Sequence, residues 1–431
     1  MKEKKMNPKS KMFDEMFREW LATLTIHALS NMGNTKHRLV KYIWMIAFLA
    51  SASYCCYLLI NIFTIYFSYN VLLQIQLLKE PAIDFPAVTI CNLNPFAKNK
   101  SLDFVNKLLD RFNLSDQPDR FKSDIDPIRI SALIRNWIAY ERVTTNESFH
   151  LDIGFDLDFM LIGCSFMRKP CRAADFFAVY SHSYTTCFTF NSTRPVSESG
   201  TDKSLRIELL IGDDNENRFV TNSGARVFVH DPRLTPDFSQ DEGYDLATNY
   251  QTNIGLRRTL RFRLSEPYSD CVKNTSSPNS HGSHYYKSVF SKLGLNKYKQ
   301  TSCLNLCMQD HIVRSCNCID PSLPSLQNGS PICLDLAELA CVASSHRSYF
   351  KSNQTCREQC PLECDGVEHA AFLTKSRYPT LYYTAYLINQ MNIKRKFTLA
   401  PENISEVLIQ KNVLSVNVFY EDLVTAYVRE V

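Results

Sequence analysis

The sequence predicts an α+β protein: one transmembrane helix near the N-terminus, followed by a large extracellular domain stapled by disulfides. Three observations predict it. No charged residue separates Lys41 from Lys79; fourteen of the sixteen cysteines lie between Cys91 and Cys364; and eight Asn-x-Ser/Thr triplets all follow the apolar run. The 431 residues are 45% hydrophobic and 12% aromatic, enough apolar material for a sizeable core. A net charge of only +4, with no long Lys/Arg run, argues against nucleic acid as a partner.

Residues 1–41 form a tail with nine Lys/Arg against four Asp/Glu, so the positive-inside rule places it in the cytoplasm. Residues 42–69 are the predicted span, since about 20 apolar residues cross a bilayer as a helix. Ala50-Ser-Ala52 resembles a signal-peptide cleavage site, but the apolar run continues well past it. Residues 70–431 then lie outside. The triplets at Asn99, Asn113, Asn146, Asn191, Asn274, Asn328, Asn353 and Asn403 are candidate glycosylation sites, and their one-sidedness agrees with the disulfide-permissive location of the cysteines. The best later hydrophobic stretches, 370–391 and 413–431, are broken by charges, so no second span is expected.

Within the outer region the patterning predicts strands over 87–91, 186–190, 205–211, 225–229, 260–264 and 413–420. Helices are predicted over 102–112, 128–140 and 302–313, and a loop over 279–284. Cys303 and Cys307 are four apart, as are Cys356 and Cys360, which places each pair on one helix face. A nested set of pairs fits that spacing, but it is one of very many connectivities. Structural zinc is the rival; Cys316-Asn-Cys318 and the four-residue spacings lack the usual two-residue ligand pairs, so no metal is expected.

Several words in the chain resemble the degenerin/epithelial sodium channel family. Phe85-Pro-Ala-Val-Thr-Ile-Cys-Asn-Leu-Asn-Pro-Phe96 is similar to the start of its ectodomain. Cys164-x6-Cys171, Asp175-Phe176 and Cys187-Phe-Thr-Phe-Asn191 resemble its central block. Arg263-Leu-Ser-Glu-Pro-Tyr-Ser-Asp-Cys271 and Cys303-x3-Cys307-x8-Cys316-Asn-Cys318 resemble the approach to its thumb and the thumb itself. Val416-Asn-Val-Phe-Tyr-Glu-Asp-Leu423 is similar to its last extracellular strand.

The resemblance implies a β-sheet palm, a helical finger over 97–165 and a disulfide-rich thumb over 271–370. It implies the pairs Cys91–Cys187, Cys164–Cys171, Cys271–Cys364, Cys303–Cys360, Cys307–Cys356, Cys316–Cys341 and Cys318–Cys333. It implies a plasma-membrane subunit of a homo- or hetero-trimeric, sodium-selective, amiloride-sensitive cation channel, whose extracellular domain couples a stimulus to the pore. Tyr69 resembles the wrist aromatic of the family, and Tyr268 is its candidate partner.

Three departures follow. The family's cytoplasmic His-Gly pair appears as His27-Ala28, and alanine resists backbone geometry that glycine permits. Residues 341–356 contain no Asp or Glu, which disfavours the paired-carboxylate acid sensing of one branch. The family's second transmembrane helix has no counterpart in the residues as written, so a truncated or modulatory subunit is expected.

Two other classes compete. A type II lumenal enzyme of glycosyltransferase kind would use an Asp-x-Asp metal motif, and Asp124-Ile-Asp126 and Asp156-Leu-Asp158 fit the pattern. The motif is only three residues long, and no Gly-x-Ser-x-Gly, His-Glu-x-x-His or phosphate-binding glycine loop accompanies it. No enzyme and no cofactor are therefore expected. The third class is a non-conducting ligand-binding or adhesion ectodomain.

Overall fold

The structure is a computed structural model that describes residues 37–111, 127–145, 147–192, 194–212, 222–234, 243–326, 329–352, 354–389 and 406–431, with isolated positions elsewhere. The chain divides into two units, Met1–Leu72 and Leu73–Val431. In the first, α1 (Arg38–Phe67) is a 30-residue helix with no buried residue. Its most apolar window has a mean hydropathy of 1.9, so length and composition suit a membrane crossing. It begins four residues before the predicted span and ends two before its end. Thr64 and Ile65 carbonyls accept the Ser68 amide at the last turn, and Tyr69 then takes a left-handed φ of 49°.

The second unit contains two large sheets. The seven-stranded sheet runs in the order β13 (Asp365–Arg377), β12 (Tyr250–Phe262), β14 (Val413–Glu430), β9 (Leu205–Leu210), β4 (Leu161–Phe166), β5 (Lys169–Pro170), and β1 (Leu73–Lys79) also pairs with β14. The five-stranded sheet runs β11 (Gly243–Leu246), β10 (Ala225–His230), β3 (Ala87–Asn92), β7 (Thr185–Phe190), β6 (Phe176–Ser181). β2 (Ile83–Asp84) and β8 (Pro195–Val196) make a small ribbon.

Alternation decides which faces meet. Val88 and Ile90 of β3, Phe188 and Phe190 of β7, Ile207 and Leu209 of β9, Ile254 and Leu256 of β12, and Val416 and Val418 of β14 share one buried cluster. Each such side chain contributes roughly 1.5–3 kcal/mol on burial. On β3 and β7 the intervening residues are buried too, because helices and loops cover their other face. There the register sets Thr89 opposite Thr189, whose hydroxyls lie 2.7 Å apart, and Cys91 opposite Cys187, which are joined.

Helices cover the five-stranded sheet. α2 (Lys98–Arg111) and α3 (Pro127–Thr144) pack with α4 (Phe149–Ile153) around a separate core. In α3 the buried residues Ile130, Leu133, Ile134, Trp137 and Ile138 recur at three and four, one stripe of an amphipathic helix. A second helical group contains α6 (His284–Ser291), α7 (Gln300–Cys316), α8 (Leu336–Ser352) and α9 (Gln354–Gln359), where α5 is the single turn Leu157–Met160. Asn317 ends α7 in the left-handed conformation with φ 57°. That turn sends Cys316 to Cys341 on α8 and redirects Cys318 to Cys333. α8 opens on a reciprocal cap: Asp335 Oδ1 accepts the Glu338 amide at 2.7 Å, and Glu338 Oε2 accepts the Leu334 amide at 2.6 Å.

The strand predicted at 260–264 begins ten residues earlier, at Tyr250. Its first half carries Gln251, Asn253 and Arg257, polar residues on a half-covered face, which hid it from a hydrophobicity reading. The strand predicted over 413–420 runs on to Glu430. The stretch 370–391 divides into the end of β13 and α10 (Leu381–Asn389), which is followed by α11 (Glu406–Asn412). The loop at 279–284 gives way to α6 at His284, capped by the Ser283 hydroxyl.

Candidate coupling site

Three parts of the large unit meet at Asn136. Its amide nitrogen donates to the Cys333 carbonyl at 2.7 Å, which ties α3 to the segment before α8. Trp137 adds a second tie, donating to the Leu334 carbonyl at 3.1 Å. The Asn136 oxygen is left to accept, and His182 Nε2, in the β6–β7 turn, lies 2.8 Å from it. A neutral His182 protonated at Nε2 satisfies both partners. Burial lowers the His182 pKa to about 4; the charge of Asp320 opposes this and that of Arg135 adds to it.

Asp320 lies just behind. Burial works against its carboxylate, but the bond from His346 and the bonds from Ser322 hold its pKa below the ordinary value. His346 Nε2 is 3.2 Å from Asp320 Oδ2, and Gln309 on α7 donates to the Asp320 carbonyl at 2.7 Å. One polar group thus ties the β6–β7 turn to α3 and the segment before α8, and a second, close enough for Asp320 to act on His182, ties α7 to α8.

A second network lies along β12, β13 and β14. Tyr427 donates to Glu80 Oε1 at 3.1 Å, and Arg258 approaches Glu80 Oε2 at 3.6 Å. Phe262 and Tyr427 stack at 6.3 Å with 7° between their planes, and the Arg429 guanidinium lies over both rings. Glu430 Oε2 accepts the Leu264 amide at 2.9 Å. Further along, the Tyr420 hydroxyl reaches the Asp84 carbonyl at 3.0 Å and lies 3.3 Å from His369 Nε2. Burial and then Arg258 lower the His369 pKa to about 4.

The structure joins Cys91 with Cys187, Cys164 with Cys171, Cys271 with Cys364, Cys303 with Cys360, Cys307 with Cys356, Cys316 with Cys341 and Cys318 with Cys333. Cys55 and Cys56 are free and exposed on α1. Tyr69 follows α1 in the first unit; Tyr268 is half-exposed in the second, its amide donating to the Ser265 carbonyl at 3.1 Å. His27 and Ala28 lie outside the described residues, as do Asn113, Asn146, Asn328, Asn353 and Asn403. Asn191 and Asn274 are exposed, and Asn99 is in the first turn of α2. Asp156 and Asp158 are exposed, and Asp124 and Asp126 lie outside the described residues. Among the described residues no group of three His, Cys, Asp or Glu side chains is placed to hold a metal ion. Neither network was read from the sequence, because its members are far apart in the chain and each is unremarkable alone.

The chain thus combines an apolar helix long enough to cross a bilayer with a two-sheet unit that carries a disulfide-linked helical group. The family described as "Amiloride-sensitive sodium channel" matches residues 20–431, and the chain belongs to it. Members of that family are ion channels, not enzymes. The epithelial sodium channel subunit gamma-2 of Xenopus laevis is 27% identical over 67% of this chain and 43% of its own length. The bile acid-sensitive ion channel of Homo sapiens is 24% identical over 96% of this chain and 77% of its own. The Degenerin-like protein asic-2 of Caenorhabditis elegans is 23% identical over 86% and 71%. The chain therefore spans less than half of the frog subunit and about three quarters of the human channel.

Proposed function

We propose that the chain is a subunit of a trimeric, sodium-selective, amiloride-sensitive cation channel in the plasma membrane, alone or with related subunits. The N-terminal tail is cytoplasmic, and the large unit is extracellular and carries glycans at its exposed sequons. The single observation that carries this reading is the family match across residues 20–431. The two sheets act as the palm, α2 to α4 as the finger, and α6 to α9 as the thumb. A stimulus received by the helical parts reaches the palm through the Asn136 junction. The network around Glu80 and Tyr427 stiffens the palm strands that carry it onward, and Tyr69 and Tyr268 serve the last step to the pore. His27 and Ala28 tune gating from the cytoplasmic side.

The test is co-expression with a related channel subunit in oocytes, reading amiloride-blocked sodium current. The chain is expected to reach the surface with its partner and change the amplitude or amiloride sensitivity of that current. Surface delivery with an unchanged current defeats the proposal and favours a non-conducting ligand-binding role.

A further inference from the structure

A cavity of about 300 Å³ opens where α3 meets the β6–β7 turn and the β10–β11 edge of the five-stranded sheet. Two guanidinium groups, Arg135 and Arg226, line it, and Asp245 is the one carboxylate on its wall. Arg226 Nη1 stands 3.6 Å from Asp245 Oδ1, a loose pair whose acid is half-exposed. Arg135 has no carboxylate partner among the described residues; its Nη1 donates to the Ser131 hydroxyl at 2.6 Å. The Nε of Arg135 and the Nε of Arg226 are both buried without a hydrogen-bond partner among the described residues. A Cβ at Gly243 would strike the Arg226 Nε, so the glycine leaves room for that side chain.

Among the described residues, two cations against one loosely paired carboxylate leave the cavity wall with a surplus positive charge. A buried guanidinium N–H without a partner is costly, and a planar carboxylate presents two oxygens that match a guanidinium fork. Leu93, Pro95, Ile128 and Tyr184 add apolar and aromatic wall, which suits a ligand with a hydrophobic body. We propose that this cavity binds a small amphipathic organic carboxylate. Arg135 and Arg226 hold the anionic head, and the apolar wall takes the body.

The probe is 4-phenylbutyrate, with its primary amide as a neutral isostere, titrated calorimetrically into the disulfide-intact full chain in detergent. The carboxylate is expected to bind at least tenfold more tightly than the amide. Arg135→Gln and Arg226→Gln are each expected to weaken carboxylate binding by tenfold or more while leaving amide binding little changed. Because these arginines are partly buried, a third variant guards against misfolding. Ile128 is 61% exposed on the cavity wall, so Ile128→Glu adds a repelling charge without disturbing the core. It should abolish carboxylate binding at an unchanged unfolding midpoint. Equal binding of acid and amide, no binding of the acid to the parent chain at millimolar concentration, or an Ile128→Glu chain that binds like the parent overturns the proposal. None of these readouts depends on channel current.

Discussion

The two-sheet core and the helical group at 284–364 are stabilised by different physics. Between the sheets, neighbouring strands bury alternate aromatic and branched residues in one continuous cluster, and cross-linking is confined to Cys91–Cys187 and Cys164–Cys171. The helical group divides its apolar contacts between two small clusters, and cysteines are four of the nine buried members of one and two of the seven of the other. Five disulfides close within it or at its base. A small group of helices buries too little apolar area to hold itself, and covalent links compensate. The first region is therefore expected to depend on packing and to withstand reduction, and the second to depend on its sulfur bonds.

The largest expected effect is in the sheets. Phe190 is buried against Phe166 and Phe176, with ring centroids at 5.3 and 5.4 Å. Phe190→Ala should cost about 3–5 kcal/mol in denaturant unfolding. A loss under 1 kcal/mol would show that this core is not packed as described.

Next comes the helical ladder. Cys307→Ser with Cys356→Ser opens a link spanning 49 residues, worth about 3–4 kcal/mol in the chain-entropy account. Hydrogen exchange should rise across α7 and α9 and stay unchanged in β9. Equal loss of protection in both places would erase the distinction between the regions.

The third test uses acid. An unfolded histidine titrates near about 6.5, while burial lowers His182 and His369 to about 4 in the folded chain. The unfolded state therefore takes up the protons first. The stability these groups contribute is complete above about pH 6.5 and is lost as pH falls toward 4. A melting point roughly 3–6 °C lower at pH 5 than at pH 7 is expected. His182→Gln should flatten that slope while keeping a donor for Asn136, and an unaltered slope would show that His182 is not buried neutral.

The smallest effect belongs to the surface pair Arg261–Glu368, 3.0 Å apart with both side chains about half exposed. E368Q should change stability by less than about 1 kcal/mol. A larger loss would mean that the outer face of β12 and β13 contributes more than its exposure suggests.

Much of this division is legible in the sequence. The helix from Arg38 announces itself by a long charge-free run, and β3, β7 and β9 by short apolar blocks of branched and aromatic residues. The stripe of α3 is visible at three- and four-residue spacing. Other elements are hidden for identifiable reasons. β13 and the first half of β12 are exposed on one face and so lack an apolar signature. α8 is too polar for periodicity, although the Asp335-x-x-Glu338 cap was a readable start signal. Cysteine spacing admitted the nested pairs without selecting them, since pairing is a matter of distance in space. The Asn136 junction unites residues 46 and 197 positions apart, so no local pattern could disclose it.

β14 has a mechanical consequence. It runs 18 residues through the larger sheet, alongside β12, β9 and β1. The seven residues of β1 meet it in an unbroken antiparallel register from Leu73 to Lys79. Tension along such a pair loads all its rungs at once in shear, whereas a sideways pull peels them one by one. A pull on Leu73 along the strand axis is therefore shared by the whole ladder and passed into the middle of the sheet. Lengthwise, this part of the protein behaves as a stiff strut rather than a spring.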